Sequence, residues 1–519
     1  MTVEVVESRC ETGLGSRVLQ GGLWGVGGQG VTIAASFVAT PFVIRELGSD
    51  AYGVLNLINL AVGSFAFADL GMGSASTRFA ADFYARGDGE GESQVVWSAL
   101  ALMAGPTAIA ALLLFLGAPA FAADFLRLPP HLSGPATAAF RIAALGLVAR
   151  NVAAVLNTPQ MVRMRLGLVT LINSGCGVAQ VVVVPMVLSR GGGLAGAAAV
   201  ISGAALATAA LHGAIGLRLN RHLLSPRLNP LLVRPLAGFG GALAVSALTQ
   251  IGLSHGEKLL LGRYGSVAAL AHYSVASTLA GLLGLAPGAI TQALLPAFSG
   301  LQATADRGRL RRLYSESIGW VFLLTVPGAT GLCIAAKPFF TLWAGPEFGQ
   351  ASTGPLYVLV LGLLVNVVAY VPYTLLTALG RTRQVARFHL LELIPYLVWA
   401  ALLTYSFGAI GAAAAWTTRV LFGAAWLLIT LRRLLGPGEA AEAIPFGRFL
   451  GASAAPLAGV LAVIAFDPGI GVRGGMAAVT LSLYGAIVWT RVLRDDQRRQ
   501  LRFTAGRFVP FRLSTESSI

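Results

Sequence analysis

The sequence predicts an all-α membrane protein that crosses the bilayer about fourteen times. Three observations lead to this prediction: charged residues are scarce, apolar runs of membrane length recur, and basic residues concentrate in alternate loops. Apolar residues make up 55% of the 519 residues and charged residues 11%, whereas soluble domains carry about 25% charged residues. A water-soluble protein of this size needs more charge on its surface, so a polytopic membrane protein is the class that fits.

The apolar runs give the positions of the predicted spans. A transmembrane helix needs about 20 predominantly apolar residues. The predicted spans cover about 18–44, 51–77, 95–124, 135–160, 166–189, 193–217, 233–261, 267–298, 317–342, 353–379, 385–405, 408–431, 447–466 and 473–492.

The distribution of basic residues predicts the topology. On the side that holds the N-terminus, the loops and termini carry 27 of the 37 Lys and Arg residues, the opposite loops carry 6, and four lie within spans. Cytoplasmic loops are the ones enriched in Lys and Arg, so both termini are predicted to be cytoplasmic. One omitted or added span would destroy the asymmetry, which therefore also supports the count of fourteen.

An internal repeat predicts two related lobes. Residues 193–199 (GLAGAAA) match 408–414 (GAIGAAA) at an offset of 215, and the Gly-Ser pair at 48–49 matches that at 265–266 at an offset of 217. Both offsets equal six spans, so the two halves would share one orientation. The predicted organisation is an N-lobe (1–218, spans 1–6), a cytoplasmic inter-lobe loop (219–232), a C-lobe (233–434, spans 7–12), spans 13–14 (435–492) and a basic cytoplasmic tail (493–519).

Several short motifs resemble those of one transporter family. The chain has an LGxxxYG turn at 47–53, a DLGxG box at 69–73, an LWAG stretch at 342–345 followed by Phe348, and a Leu-Gly-Arg turn at 379–381. With these motifs the chain resembles the polysaccharide-flippase branch of the MOP exporter superfamily. It departs from that pattern at Glu257, where such proteins often carry Asp.

The resemblance implies the function. Proteins of this branch move lipid-linked sugars across the bacterial inner membrane, so it implies a flippase for a polyprenyl-diphosphate-linked oligosaccharide that works by alternating access between the lobes. It implies no enzymatic activity, no cofactor and no metal. Its expected partners are the anionic lipid-linked oligosaccharide, membrane lipids, and the polymerase and glycosyltransferases of polysaccharide biosynthesis. Nucleic acid is not expected, because the net charge of +15 is spread over short loops.

Three charged residues are candidates for substrate binding: Arg150, Arg419 and Asp69. Both arginines lie midway along a predicted span, where an arginine costs about 2.5–3.5 kcal/mol unless it meets water or an acid. A guanidinium matches phosphate oxygens with two hydrogen bonds. The alternatives are structural ion pairs or carbonyl contacts for the arginines. For Asp69 the alternative is a place near the headgroups, or the capping of a kink at Gly71 and Gly73.

Three further residues are candidates for ion coupling or for a structural ion pair: Glu257, Glu392 and Arg141. Glu257 stands beside Lys258 near the outer end of span 7, and Glu392 interrupts span 11. Arg141 precedes Arg150 by nine residues, or about 900° at about 100° per residue. The two arginines therefore lie on opposite faces of a straight helix.

Other functions stay open. A drug or cation antiporter of the same superfamily would need buried acids, whereas Arg outnumbers Asp and Glu in mid-span here. A lipid II flippase shares the expected diphosphate chemistry. A membrane-embedded glycosyltransferase or polymerase would be expected to carry a sizeable outer loop with acids and histidines, and the predicted outer loops are short.

The predicted topology is tested with reporter fusions, since the excess of basic residues orients the loops. Swapped signals at any two positions would contradict the fourteen-span topology. Cytoplasmic signals are expected at Arg86, Arg165, Arg227, Arg309, Arg383 and Arg433, and periplasmic signals at Asp50, Gly191 and Gly345.

Overall fold

Helices account for nearly all of the described chain, and the described residues contain no β-strand. The computed structural model describes residues 3–303, 306–435, 446–493 and 498. The α-helices are α1 (Val3–Ser64), α2 (Met72–Ala85), α3 (Gly89–Ala120), α4 (Pro130–Leu156), α5 (Thr158–Val162), α6 (Leu166–Leu188), α7 (Gly193–Leu219), α8 (Pro230–Tyr264), α9 (Val267–Gly281), α10 (Leu285–Ala303), α11 (Arg307–Ala344), α12 (Pro346–Ala351), α13 (Thr353–Ala378), α14 (Thr382–Leu435), α15 (Phe446–Phe466) and α16 (Ile470–Ile487).

The helix lengths agree with the predicted spans. Within the described residues, eleven helical stretches are long and apolar enough to cross a membrane. One of them, Thr382–Leu434, has 53 residues and is long enough for two consecutive spans, and Gly451–Phe466 is a shorter apolar helix. The prediction of an all-α, multi-pass membrane protein is confirmed.

Glycine breaks the two longest helices. Gly48 (φ 76°) interrupts α1, and Gly408 (φ 56°) interrupts α14. Each lies where the sequence separates two predicted spans, and glycine adopts positive φ without the steric penalty of a side chain. Gly193, the counterpart of Gly408 in the internal repeat, has a similar φ of 54°. The repeat therefore matches two positions that share a backbone conformation.

The chain divides into two compact units. Unit 1 comprises Met1–Val275 and Val385–Ala415, and unit 2 comprises Ala276–Gln384 and Trp416–Ile519. The lobe boundaries expected from the repeat, 1–218 and 233–434, stay a prediction. The expected basic tail, 493–519, lies almost entirely outside the described residues.

Small residues bring the helices of unit 1 close together. A Cβ at Gly146 on α4 would lie 2.7 Å from Ser202 Oγ on α7, and that hydroxyl donates a hydrogen bond to the carbonyl oxygen of Ile142 at 3.0 Å. A Cβ at Gly53 on α1 would lie 1.9 Å from the carbonyl oxygen of Val267. Close backbone approach of this kind is how membrane helices gain packing contacts.

In unit 2, a group of charges ties α16 to α11. Arg473 is 5% exposed and donates hydrogen bonds to the carbonyl oxygens of Ile334 (3.0 Å) and Pro468 (2.8 Å). It also pairs with Asp467, which pairs in turn with Lys337. The hydrogen bond from Lys337, helped by both positive charges, holds the pKa of Asp467 below its usual range. Asp467 therefore stays ionised and keeps both partners.

The contact at Gly53 predicts a site-specific cost of substitution. Gly53→Ala is expected to destabilise the protein by about 1–3 kcal/mol, because the new methyl group overlaps a backbone oxygen that cannot rotate away. Melting temperature in detergent measures the effect. Gly63→Ala is the matched control, since a Cβ there meets nothing within 4 Å. Equal melting temperatures for the two variants would contradict the packing of α1 against α9.

Candidate functional site

Unit 1 contains a polar cavity of about 450 Å³ lined by α1, α4, α6 and α7. Its remaining lining is mainly glycine and alanine, so small side chains leave the space that the polar groups face. The polar lining residues are Asn59, Arg150, Asn157, Asn173, Cys176, Gln180, Ser202, Thr208 and His212.

Arg150 supplies the charge of this cavity. Its side chain is exposed to the cavity, and it makes no hydrogen bond or ion pair with any residue that the structure describes. A guanidinium within a membrane helix then depends on water or on a bound anion for its solvation. The second predicted cation, Arg419, is half-buried on α14 within unit 2. The binding roles of both arginines stay predictions.

A buried network orients one cavity amide. The side chains of Gln160 and His212 are buried, and the Gln160 amide nitrogen donates to the His212 carbonyl oxygen at 2.9 Å. The Gln160 amide oxygen therefore faces His212 Nδ1, 2.6 Å away, and that nitrogen carries a proton. The other ring nitrogen, Nε2, lies 3.1 Å from the amide oxygen of Asn173.

The protonation of His212 and the orientation of Asn173 are consequently linked. A neutral ring has Nδ1 protonated, so Nε2 accepts and the Asn173 NH₂ group turns toward it. A charged ring donates from Nε2, so the Asn173 oxygen turns toward it instead. Because Asn173 lines the cavity, the ring decides which end of this amide is left for a ligand.

Of the six predicted site residues, Arg150 lines this cavity and the other five do not. Arg141 places its guanidinium 5.3 Å from the ring centroid of Phe115, and so lies apart from Arg150, as the helical period predicts. Asp69 accepts a hydrogen bond from the backbone N–H of Gly71 at 2.7 Å. That carboxylate therefore satisfies a backbone N–H group at the helix break before α2, where Leu70 and Gly71 have φ of 51° and 67°.

The other two predicted acids of unit 1, Glu257 and Glu392, have different surroundings. Glu257 is 1% exposed, and its carboxylate accepts hydrogen bonds from the hydroxyl groups of Tyr396 (2.6 Å) and Tyr273 (3.3 Å). Glu392 lies 2.8 Å from His389 one turn earlier on α14. Glu257 is therefore a buried carboxylate that two tyrosine hydroxyls bind, and its coupling role stays a prediction.

One ion pair of unit 1 that involves a buried acid was missed from the sequence. Arg163 binds Glu92 with two hydrogen bonds of 2.6 and 2.9 Å, and Glu92 is fully buried. The pair fastens the start of α3 to the end of α5, which also carries Gln160. Arg163 counts as an ordinary loop arginine in the sequence, and its partner lies 71 residues away. The cavity amides were missed because they carry no charge, although an amide side chain within an apolar run is itself a signal of a polar site.

The chain is similar to proteins of known family. Residues 43–353 match the family described as "Polysaccharide biosynthesis protein". The chain belongs to this family. Over 186 residues it is 27% identical to a Shigella flexneri protein provisionally named an O-antigen transporter. That match covers 36% of this chain and 44% of the relative, so the chain spans less than half of that relative's length.

Two solved structures share the fold. The lipid II flippase MurJ in an inward closed conformation has a TM-score of 0.65 at 11% identity, covering 92% of this chain and all of that one. An inward-facing multidrug resistance MATE family transporter of the MOP superfamily has a TM-score of 0.62 at 16% identity, covering 78% and 95%. At these identities the likeness shows the fold alone. The resemblance indicated by the sequence motifs is confirmed.

The buried network predicts a measurable loss of stability. Gln160→Leu is expected to destabilise the protein by about 1–3 kcal/mol, because the Nδ1 proton of His212 loses its acceptor in a buried place. Thermal unfolding in detergent measures the change. Thr208→Val is the control: Thr208 lines the same cavity, but its hydroxyl bonds only to the Ala204 carbonyl oxygen of its own helix at 2.8 Å. A Gln160→Leu protein as stable as this control would refute the network.

Proposed function

We propose that this protein flips a polyprenyl-diphosphate-linked oligosaccharide across the bacterial inner membrane by alternating access, with both termini in the cytoplasm. The observation that carries the proposal is Arg150, a cation without a partner among the described residues, in a polar cavity of unit 1. Membership of the polysaccharide biosynthesis family and the O-antigen relative support the substrate class. By this proposal the predicted lobes, 1–218 and 233–434, rock about the substrate.

The chemistry of the cavity suits such a substrate. A guanidinium binds a diphosphate through two parallel charge-assisted hydrogen bonds. The amides of Asn59, Asn173 and Gln180 can donate to and accept from sugar hydroxyls, and the small lining residues leave room for sugar rings. The lipid tail would stay in the bilayer. Arg419 and Asp69 are further binding residues in this proposal.

The charge of the cavity weighs against a cationic substrate. Among its lining residues, Arg150 carries charge and none is Asp or Glu, whereas a drug cation would need a carboxylate. A lipid II flippase shares the diphosphate chemistry, and the O-antigen relative favours the oligosaccharide over it. That the chain is a transporter and not an enzyme is part of the proposal, as are a polymerase and glycosyltransferases as partners.

Ion coupling belongs to the same proposal. A carboxylate buried within a membrane segment is costly unless it is bound or protonated. Glu257 is buried and accepts hydrogen bonds from two tyrosine hydroxyls, and a neutral hydroxyl can bond a protonated carboxyl group as well as an ionised one. We assign it the coupling role, and we assign Glu392 and Arg141 to structural contacts.

Arg150 provides the test of the proposed function. Arg150→Ala is expected to reduce transport about tenfold or more, because a charge-assisted contact of about 1.5–3 kcal/mol to the diphosphate is lost. Arg150→Lys keeps the charge but loses the planar guanidinium that donates two parallel hydrogen bonds, so it should restore transport in part. Surface polysaccharide in a strain that lacks its own flippase is measured beside the melting temperature of each purified variant.

Arg141→Ala is the matched control, since it removes an arginine from the opposite face of the same helix and should leave transport near the wild-type rate. A structural role for Arg150 would instead lower the melting temperature in proportion to the loss of transport. Full transport by a stable Arg150→Ala protein would remove Arg150 from the substrate site.

A further inference from the structure

Unit 2 contains a second pocket, of about 340 Å³, that differs in character from the cavity of unit 1. Three of its lining residues are arginines, Arg307, Arg311 and Arg381, and five are leucines. None of the lining residues is acidic. The pocket therefore joins a concentrated positive charge to an apolar floor, and no residue lines both cavities.

The chain places the three arginines by regular structure. Arg307 and Arg311 lie one turn apart on the first two turns of α11, so they share a helix face. Arg381 follows a glycine-terminated helix end: Gly380 has φ of 73°, and the Arg381 N–H bonds to the Leu376 carbonyl oxygen at 3.0 Å. This is the Leu-Gly-Arg turn of the sequence, and its geometry directs the arginine back to the end of α13.

The pocket lies at a level where membrane helices end. The helix α10 ends at Ala303, α11 begins at Arg307, α13 ends at Ala378, and Leu434 is in the last turn of α14. All four helices belong to membrane-length stretches. A pocket with arginines at the helix ends and leucines beneath them is situated where lipid headgroups meet acyl chains. In the predicted topology this is the cytoplasmic face.

We propose that this pocket binds an anionic glycerophospholipid, with its headgroup phosphate on the arginines and an acyl chain on the leucines. Guanidinium groups bind phosphate oxygens in pairs, and basic pockets between membrane helices bind anionic lipid headgroups. A free phosphate ion would bind the arginines but leave the partly exposed side chains of Leu379 and Leu434 against water. The lipid ligand accounts for both halves of the lining.

The test measures thermal unfolding of the purified full chain in neutral detergent with added phosphatidylglycerol. Phosphatidylglycerol is expected to raise the melting temperature, whereas phosphatidylcholine and soluble glycerol 3-phosphate are not. The Arg307→Gln/Arg381→Gln double variant should need about tenfold more phosphatidylglycerol for the same rise, since it loses charge-assisted contacts. Arg307→Lys/Arg381→Lys should recover part of the response.

The matched control is Arg309→Gln/Arg383→Gln, which removes the same charge from two exposed neighbours that do not line the pocket. This control should respond to phosphatidylglycerol like the wild type. An equal loss in the control would show diffuse surface attraction and overturn the proposal. An equal rise with glycerol 3-phosphate would show a site for a free phosphate and overturn it too.

If the double glutamine variant does not fold, Arg307→Gln alone at its exposed position takes its place. Native mass spectrometry then counts the retained phosphatidylglycerol, and wild-type retention by this variant would overturn the proposal.

Discussion

The backbone's need for hydrogen bonds in hydrocarbon is the constraint on which the rest of the structure depends. Water is absent there, so each N–H and C=O group must bond within its own helix or at a locally closed break. The described chain meets this need with long helices, and several of its breaks fall at glycine. Gly48, Gly408 and Gly380 all have positive φ. Polar chemistry accordingly collects at breaks and helix ends, as at Asp69 and at Arg381.

Charge obeys a similar constraint. Glu92 is buried against Arg163, and Arg473 pairs with Asp467. Glu257 has two tyrosine hydroxyls. In each case the cost of removing a charge from water is offset by hydrogen bonds within the protein. Against this background the arginine of the cavity stands out, because the described residues provide it with no such bond. The contrast between satisfied charges and Arg150 is the physical basis for a binding role.

The sequence predicted those features that depend on local pattern. Apolar run length located the spans, the Gly-Ser pair at 48–49 marked a helix break, and the helical period separated Arg141 from Arg150. It could not predict features that depend on distant partners. The tyrosines that bind Glu257 lie 16 and 139 residues away. A count of loop arginines treats Arg163 like its neighbours, although its partner is a fully buried acid. Hydropathy describes each segment in isolation, whereas the cavity depends on how α1, α4, α6 and α7 meet.

The short helix α5 connects these constraints. The Gln160 side chain of this helix forms a hydrogen bond with His212, and the other ring nitrogen of His212 lies next to Asn173 at the cavity. Three residues after Gln160, Arg163 forms an ion pair with Glu92 at the start of α3. A five-residue helix contributes little stability of its own, because helix nucleation is costly. Its position is therefore held by these two attachments and by the hydrogen bond between the hydroxyl groups of Thr158 and Ser76, 2.7 Å apart. Any displacement of α3 that keeps the ion pair intact carries α5 with it, and the Gln160 amide then moves against His212. A change at the start of α3 can thus reach a cavity amide without a flexible loop between them.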